Sequence, residues 1–191
     1  MKQQDKIILD LCGGTGSWSK PYKDNGYHVL NVTLPEYDVR LFAPPENVYG
    51  ILAAPPCTEF SRAKCFHGKG NYSYNFLQGL EIVSACMRII LTANPKFWCI
   101  ENPDGYLKRW LKEPIMKFSP WEYGDNYQKI TCLWGNFNKP TKTISTRPEI
   151  KKFSLLKSKE IHPEFFGIYD RQTRRSITPQ GFAKAFFEAN Q

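Results

Sequence analysis

Residues 6–18 read KIILDLCGGTGSW, and this stretch decides the fold. Its first half, Lys6 to Leu11, is a short apolar run with polar and glycine neighbours, which predicts a buried strand. The glycines that follow predict a tight turn opening into a helix, where backbone N–H groups can approach a ligand closely. Glycine serves ordinary turns as well, and Ser19 occupies the third-glycine place of a dinucleotide-binding fingerprint. A strand–turn–helix unit is therefore predicted, with its ligand left open.

The same alternation continues along the chain. Further apolar runs predict strands at 27–32, 49–54, 97–100 and 129–134. Helical spacing of apolar residues predicts helices at 76–93 and 180–190. This order favours an α/β fold with a mostly parallel sheet and helices on both faces. Ligands of such sheets bind at the carboxyl ends of the strands, so the segments after Leu11, Ala54 and Ile100 should converge on one crevice.

Length and composition indicate one globular domain spanning 1–191. The chain has 191 residues, 41% hydrophobic and 23% charged, which excludes a disordered tail, a collagen-like fibre and a coiled coil. No apolar run approaches the ~18 residues of a membrane span, and the polar N-terminus predicts no secretory signal. A cytoplasmic protein with no membrane partner is therefore expected.

The charge is basic and uneven. The formal net charge is +8, and residues 139–191 carry eleven Lys/Arg against five Asp/Glu. A basic C-terminal third favours a polyanionic partner such as nucleic acid, although a solvated basic surface gives the same count.

The six cysteines form no CxxC pair and no zinc-type cluster. Most are expected to be reduced, buried thiols, and no metal is predicted. Cys57 differs because Pro55 and Pro56 precede it directly after a predicted strand. Two prolines would hold its thiol on a rigid turn in the crevice. There it could act as a nucleophile if nearby cations lower its pKa, whereas a purely structural turn is the alternative.

A carboxyl group is predicted opposite that thiol. Glu101 and Asn102 follow the next strand and precede Pro103. A cysteine nucleophile beside a carboxyl group suits attack on an electron-poor ring that is protonated as it is attacked. A helix cap or turn carboxylate is the ordinary alternative.

Together these segments resemble the cytosine-C5 DNA methyltransferases, and the match covers most of the chain in patches. Residues 10–16 resemble the family's cofactor turn, with Cys12 in place of Phe. Residues 55–61 are similar to its Pro-Cys nucleophile loop, and residues 101–103 to its Glu-Asn-Val segment with Pro103 for Val. Residues 38–40, 123–135 and 175–179 resemble its adenine contact, its Gln-x-Arg-x-Arg element and its Arg-x-Leu-Thr segment.

The resemblance implies a Rossmann-like methyltransferase fold, S-adenosylmethionine as cofactor and cytosine in DNA as substrate. It implies Cys57 as the nucleophile that attacks cytosine C6 and Glu101 as the acid that holds the N3 and N4 edge. The implied cofactor contacts are Asp10, Gly14, Thr15, Gly16, Trp18, Asp38, Val39 and Pro55. The implied substrate contacts are Pro56, Ser61, Arg62, Lys64, Asn102, Gln128, Arg174 and Arg175. Residues 62–74 have the charge and glycine content of a lid over the DNA strand.

This chain departs from the family pattern in several places. The second predicted strand ends without a ribose-binding acid, so Asn31 and Glu36 are the candidate substitutes. Lys129 and its neighbours occupy the stretch of the missing arginines, leaving Arg171, Arg174 or Arg175 as replacements. Only the short basic segment 136–173 stands in place of a target-recognition region, which predicts low or short sequence specificity and binding through phosphates.

Two other functions remain open at this point. The same chemistry could act on single-stranded DNA, RNA or a free cytosine nucleotide. Alternatively, the chain could be a non-catalytic nucleic-acid-binding homologue, or need a partner subunit that supplies recognition. A small, solitary enzyme of this kind is typical of a bacterium or a phage. Oligomeric state does not follow from the sequence.

Overall fold

The computed structural model describes residues 3–62 and 73–191, and a six-stranded sheet forms its centre. The strands are β1 (Ile7–Leu11), β2 (His28–Val32), β3 (Val48–Ala53), β4 (Phe97–Pro103), β5 (Met116–Phe118) and β6 (Thr131–Asn136). Their order across the sheet is β2-β1-β3-β4-β6-β5. All pairings among β1 to β4 are parallel, whereas β6 is antiparallel to both of its neighbours. The predicted mostly parallel sheet is confirmed.

Helices cover both faces of the sheet, as predicted. The helices are α1 (Lys20–Asp24), α2 (Phe76–Ala93), α3 (Lys108–Leu111), α4 (Arg171–Ser176) and α5 (Gln180–Ala189). One apolar cluster lies between the sheet and α2, and a second, rich in aromatic rings, lies between the sheet and α5. The predicted span of α2, residues 76–93, is confirmed, and a capping residue at each end explains its bounds. The Asn75 side chain accepts from the Gln78 N–H, and Asn94 closes the helix in a left-handed conformation.

The length and hydropathy of α2 are those of a membrane span, which core helices also reach. The buried side of α2 packs against the sheet through Val83, Cys86, Ile89 and Ile90. Its other side carries exposed Leu77 and Leu91.

The antiparallel β6 approaches β4 very closely at Gly135. A Cβ there would lie 2.1 Å from the carbonyl oxygen of Trp98, so only glycine fits. Because β6 runs opposite to β4, the residues that precede β6 lie at the edge where β1, β3 and β4 end. Lys129 is thereby brought to the carboxyl edge of the parallel strands.

Residues 137–170 form no α-helix and no strand. They contain three short 3-10 turns, at Phe153–Leu155, Ser158–Glu160 and Pro163–Phe165. The segment is fastened to the body at Gln128, whose N–H donates to Lys151 O (3.0 Å) and whose carbonyl accepts from the Phe153 N–H (2.8 Å). The stretch that the sequence marked as a short basic segment is thus a folded cover over one end of the sheet.

Candidate active site

The turn after β1 is tied to the end of β2. The Cys12 N–H donates to Val32 O (2.8 Å), and the Asn31 amide donates to Gly14 O (3.0 Å). A Cβ on Gly13 would lie 2.3 Å from Asp10 Cγ and 2.6 Å from Asn31 Oδ1, so only glycine permits this approach. Gly14 and Gly16 adopt left-handed conformations, with φ of +52° and +69°. Nothing stands over Gly14, so the turn presents open backbone to a ligand.

Two acceptors beneath this turn are left without a hydrogen bond. Asp10 is fully buried, and its Oδ2 accepts from Ser19 Oγ (2.6 Å). Asp10 Oδ1 and Asn31 Oδ1 are buried without a partner. Burial raises the pKa of Asp10 to about 6, because a carboxylate loses its hydration there. A glycine cradle above unpaired acceptors fits a ligand with hydroxyl and amino donors.

Asp38 lies in the neighbouring loop and is engaged by Arg40. Its Oδ1 accepts from the Arg40 backbone N–H and from Arg40 Nε, both at 2.9 Å. These hydrogen bonds hold the pKa of Asp38 down to about 2. Val39 beside it is buried, and Arg88 donates to the Val39 carbonyl (3.3 Å). The loop is therefore fastened to α2, and the charge of Asp38 reaches Cys12 in the glycine turn.

The Pro-Pro-Cys turn is rigid, as the sequence predicts. The Ala54 N–H donates to Leu11 O (2.9 Å), which joins this turn to the end of β1. Pro55 is buried, and its carbonyl accepts from Asn102 Nδ2 (2.9 Å) on β4. Two N–H groups, of Phe60 and Ser61, donate to the Cys57 carbonyl at 2.9 and 2.8 Å. The three predicted segments therefore do meet at one edge of the sheet.

The charge of Glu101 acts on the Cys57 thiol at this edge. Cys57 is exposed, but the protein packed around its thiol raises the pKa, and the charge of Glu101 adds to that rise. Burial raises the pKa of Glu101, while the charge of Lys129 opposes the rise. The charges of Lys129 and Arg175 oppose the rise in the pKa of the thiol. The site therefore pairs a thiol with a carboxyl group that retains its proton more readily than an exposed one.

A small recess opens beside Glu101. Its walls are Glu101, Phe118, Lys129, Thr131, Phe182 and the segment 176–179. The Thr178 N–H donates to Ser17 Oγ (2.9 Å), which fastens that segment to the glycine turn. Lys129 Nζ donates to Arg175 O (3.3 Å), and the Lys129 and Arg175 cations lie 5.5 and 4.9 Å from the centre of the Phe153 ring. Phe153 thereby holds Lys129, which lines the recess, and Arg175, which directly precedes the lining segment 176–179.

Several predicted contacts have another role in the structure. Trp18 is 2% exposed and packs against Phe182 and Phe186, so its ring has no face free for a cofactor. The guanidinium of Arg174 is buried and donates to the carbonyls of Ser158, Ile161 and Tyr169, so it fastens the basic cover.

Other predicted residues brace or flank the site. Asn102 braces the Pro-Pro-Cys turn, and Gln128 accepts from Arg147 (2.8 Å). Pro56 and Arg62 are exposed beside Cys57, and Ser61 is half-buried. Lys64 and most of the expected lid lie outside the described residues.

Lys129 and Phe153 are the site residues that sequence reasoning missed. Lys129 was missed because the antiparallel direction of β6, which brings it to the strand carrying Glu101, does not show in the local pattern. Phe153 gave no signal, since it comes from an irregular segment.

The sheet order and the glycine turn after β1 define a Rossmann-like α/β domain, which carries a thiol and a carboxyl group at the carboxyl edge of its sheet. No family model matches the chain. It is 31% identical over 147 residues to the protein named "Probable DNA (cytosine-5)-methyltransferase" of Frog virus 3 (isolate Goorha), an alignment that covers 66% of this chain and 69% of the viral protein. The chain belongs to the DNA (cytosine-5)-methyltransferase family.

Two solved structures are more distant. A "putative DNA modification methyltransferase" encoded within an E. coli prophage is 15% identical with a TM-score of 0.48, over 76% of this chain and 56% of that one. A mutant of DNMT2 from Spodoptera frugiperda is 18% identical with a TM-score of 0.37, over 78% of this chain and 55% of that one. The chain thus spans little more than half the length of either.

Proposed function

We propose that the protein transfers the methyl group of S-adenosylmethionine to C5 of cytosine in DNA, through a covalent bond between Cys57 and cytosine C6. The observation that carries this proposal is that the Cys57 turn and the Glu101 segment meet at the ends of adjacent parallel strands, where Asn102 Nδ2 donates to Pro55 O (2.9 Å) and the Lys129 charge acts on both groups. Membership of the DNA (cytosine-5)-methyltransferase family supports the choice of base, position and substrate.

The chemistry explains why both groups are needed. Cytosine C5 is a poor nucleophile because the ring is aromatic. The Cys57 thiolate adds to C6, the ring electrons move toward N3, and Glu101 holds a proton at N3 so that no negative charge builds up there. C5 is then an enamine carbon, able to accept a methyl group. Loss of the C5 proton and departure of the Cys57 thiolate restore the aromatic ring.

The glycine turn fits the cofactor. The proposed contacts are Asp10, Gly14, Thr15, Gly16, Asp38, Val39 and Pro55. Asn31 takes the place of the missing acid, because its unpaired Oδ1 lies under the turn, next to the orphaned Oδ1 of Asp10. When bound, S-adenosylmethionine supplies an electrophilic methyl group.

The substrate cytosine must leave the base stack to reach this site, which costs a few kcal/mol. Lys129 and Arg175 then take the part of the missing arginines by placing positive charge beside the base. Pro56, Ser61 and Arg62 contact the strand around it. We place the phosphate contacts on the basic segment 136–173.

Trapping the covalent intermediate tests the proposal. DNA with 5-fluorocytosine cannot release its C5 substituent as a proton, so the adduct should accumulate when S-adenosylmethionine is present. We expect a denaturant-stable protein–DNA band for the wild type and for Thr58→Ala, an exposed neighbour that serves as the matched control. Cys57→Ser should give none.

An adduct in Cys57→Ser, or none in the wild type on any substrate, would refute the mechanism. Trapping on single-stranded DNA, RNA or a nucleotide but not on duplex DNA would move the proposal to that substrate.

A further inference from the structure

An exposed apolar tip precedes α4. Phe166, Ile168 and Tyr169 are 48%, 69% and 38% exposed. They surround Gly167, whose φ is +88°, in a tight turn where the Ile168 and Tyr169 N–H groups both donate to Phe165 O at 3.1 Å. Large apolar side chains clustered at a surface tip are a common mark of a binding site.

The buried side chain of Arg174 fixes the tip in place. The buried guanidinium donates to Tyr169 O (3.2 Å) and Ile161 O (2.7 Å), and lies 5.0 Å from the centre of the Phe166 ring. An exposed ring that is fixed in advance loses little conformational entropy on binding a ligand. Arg174 therefore shapes a preformed contact surface.

A series of aromatic rings connects the tip to the cations of the active site. The Phe153 ring contacts the cations of Lys129 and Arg175. Its centre lies 4.9 Å from that of the Tyr127 ring, which in turn lies 6.1 Å from that of the His162 ring. The series continues through Phe165 to Tyr169, with ring separations of 6.4 and 5.5 Å. Helix α4 begins directly after the tip and contains Arg175. Its six residues rise ~9 Å along the helix axis, a length that equals roughly three base steps along one DNA strand.

The surroundings of the tip are positively charged. Residues 151–175 contain seven Lys/Arg and three Asp/Glu. All three acids have a partner: Glu160 is paired with Lys151 (2.7 Å), Glu164 with His162 Nδ1 (3.2 Å) and Asp170 with the Thr173 N–H (2.6 Å). Lys159 lies 5.7 Å from the centre of the Phe166 ring. Exposed aromatic faces among free cations match a chain of flat bases and phosphates better than an apolar protein surface.

We propose that this tip is a base-stacking platform for nucleic acid, on which Phe166, Ile168 and Tyr169 contact bases about three steps from the target cytosine while Lys159 and Arg171 bind phosphates. The inference rests on the proposed function, because it extends the substrate surface of that same site. It assigns part of the substrate contact to residues 159–171.

The test compares Phe166→Ala, Ile168→Ala and the double variant with Leu91→Ala, an apolar residue on α2 that is more exposed than either. Binding is measured by fluorescence anisotropy at fixed salt, on DNA with 2-aminopurine one to six positions from a cytosine. We expect at least fivefold weaker binding for the double variant and less than twofold for Leu91→Ala. The fluorescence change near the third position should disappear with Phe166.

A folded double variant with wild-type affinity and an unchanged 2-aminopurine response would overturn the inference. So would loss of self-association in sedimentation with unchanged DNA affinity, because the tip would then serve a second copy of the chain. The outcomes also separate the two proposals. DNA binding through the tip without methyl transfer would refute only the proposed function, whereas methyl transfer with unaffected tip variants would refute only the platform.

Discussion

The positive charge of Lys129 acts on both proposed catalytic groups, Cys57 and Glu101. Burial raises the pKa of the Cys57 thiol and of Glu101, and the charge of Lys129 opposes both rises. Lys129→Met should therefore raise both pKa values, shift the pH optimum of methyl transfer upward and reduce kcat/KM on the order of 10²-fold at neutral pH. Lys129→Arg keeps the charge and should retain most of the activity. Equal pH profiles for Lys129→Met and the wild type would show that the cation acts only structurally.

Asp10 should make folding stability depend on pH. Its pKa is raised from 3.8 to about 6 by burial. The stabilisation from its protonated form is therefore complete below pH ~4 and lost as the pH rises through 6. Between these limits the wild type should lose up to ~3 kcal/mol relative to Asp10→Asn, which cannot ionise. Urea unfolding of both proteins at several pH values measures the difference, and a constant gap would contradict the buried, protonated carboxyl.

At the residue scale, the sequence predicted which side chains lie together at the ends of adjacent strands. Cys57 and Glu101 were predictable because each follows a buried run that is stopped by proline. The structural roles of Trp18 and Arg174 could not be predicted, because each depends on the direction in which the side chain points. Phe182 and Phe186 draw Trp18 into the core, and the carbonyls of a distant irregular segment bind Arg174.

At the scale of elements, α5 meets the 3-10 turn Pro120–Tyr123 at a glycine. A Cβ on Gly181 would lie 1.8 Å from the Tyr123 carbonyl oxygen. Gly181→Ala should therefore destabilise the protein by ~2 kcal/mol or more, although alanine normally favours a helix.

The matched control for Gly181→Ala is Gly26→Ala. Gly26 has open space around it and a φ of +82°, so its substitution should cost only ~1 kcal/mol of backbone strain. Thermal unfolding of the two variants checks the order. A stabilised Gly181→Ala would contradict the packing of α5.

The sequence predicted the regular elements well and the irregular ones poorly. Apolar periodicity and the Asn75 and Asn94 caps define α2, which begins and ends where predicted. β5 was missed because three residues are too few to show a period. The antiparallel direction of β6 was missed because it depends on chain connection rather than on local pattern.

At the scale of the whole molecule, the uneven net charge of +8 predicts binding dominated by phosphates. Log K for DNA should fall with log salt concentration at a slope steeper than about −3, which corresponds to at least four phosphate contacts. Titration by fluorescence anisotropy from 50 to ~300 mM salt gives the slope. A flat response would point to a mononucleotide substrate rather than to a polyanion.

The most direct test of the central claim is methyl transfer itself. The protein is incubated with unmethylated DNA of mixed sequence and S-adenosylmethionine labelled in its methyl group, and the digested nucleosides are read by mass spectrometry. Labelled 5-methylcytosine from the wild type, with none from Cys57→Ala, is the predicted result. Label on another nucleoside, or no label despite bound cofactor, would contradict it.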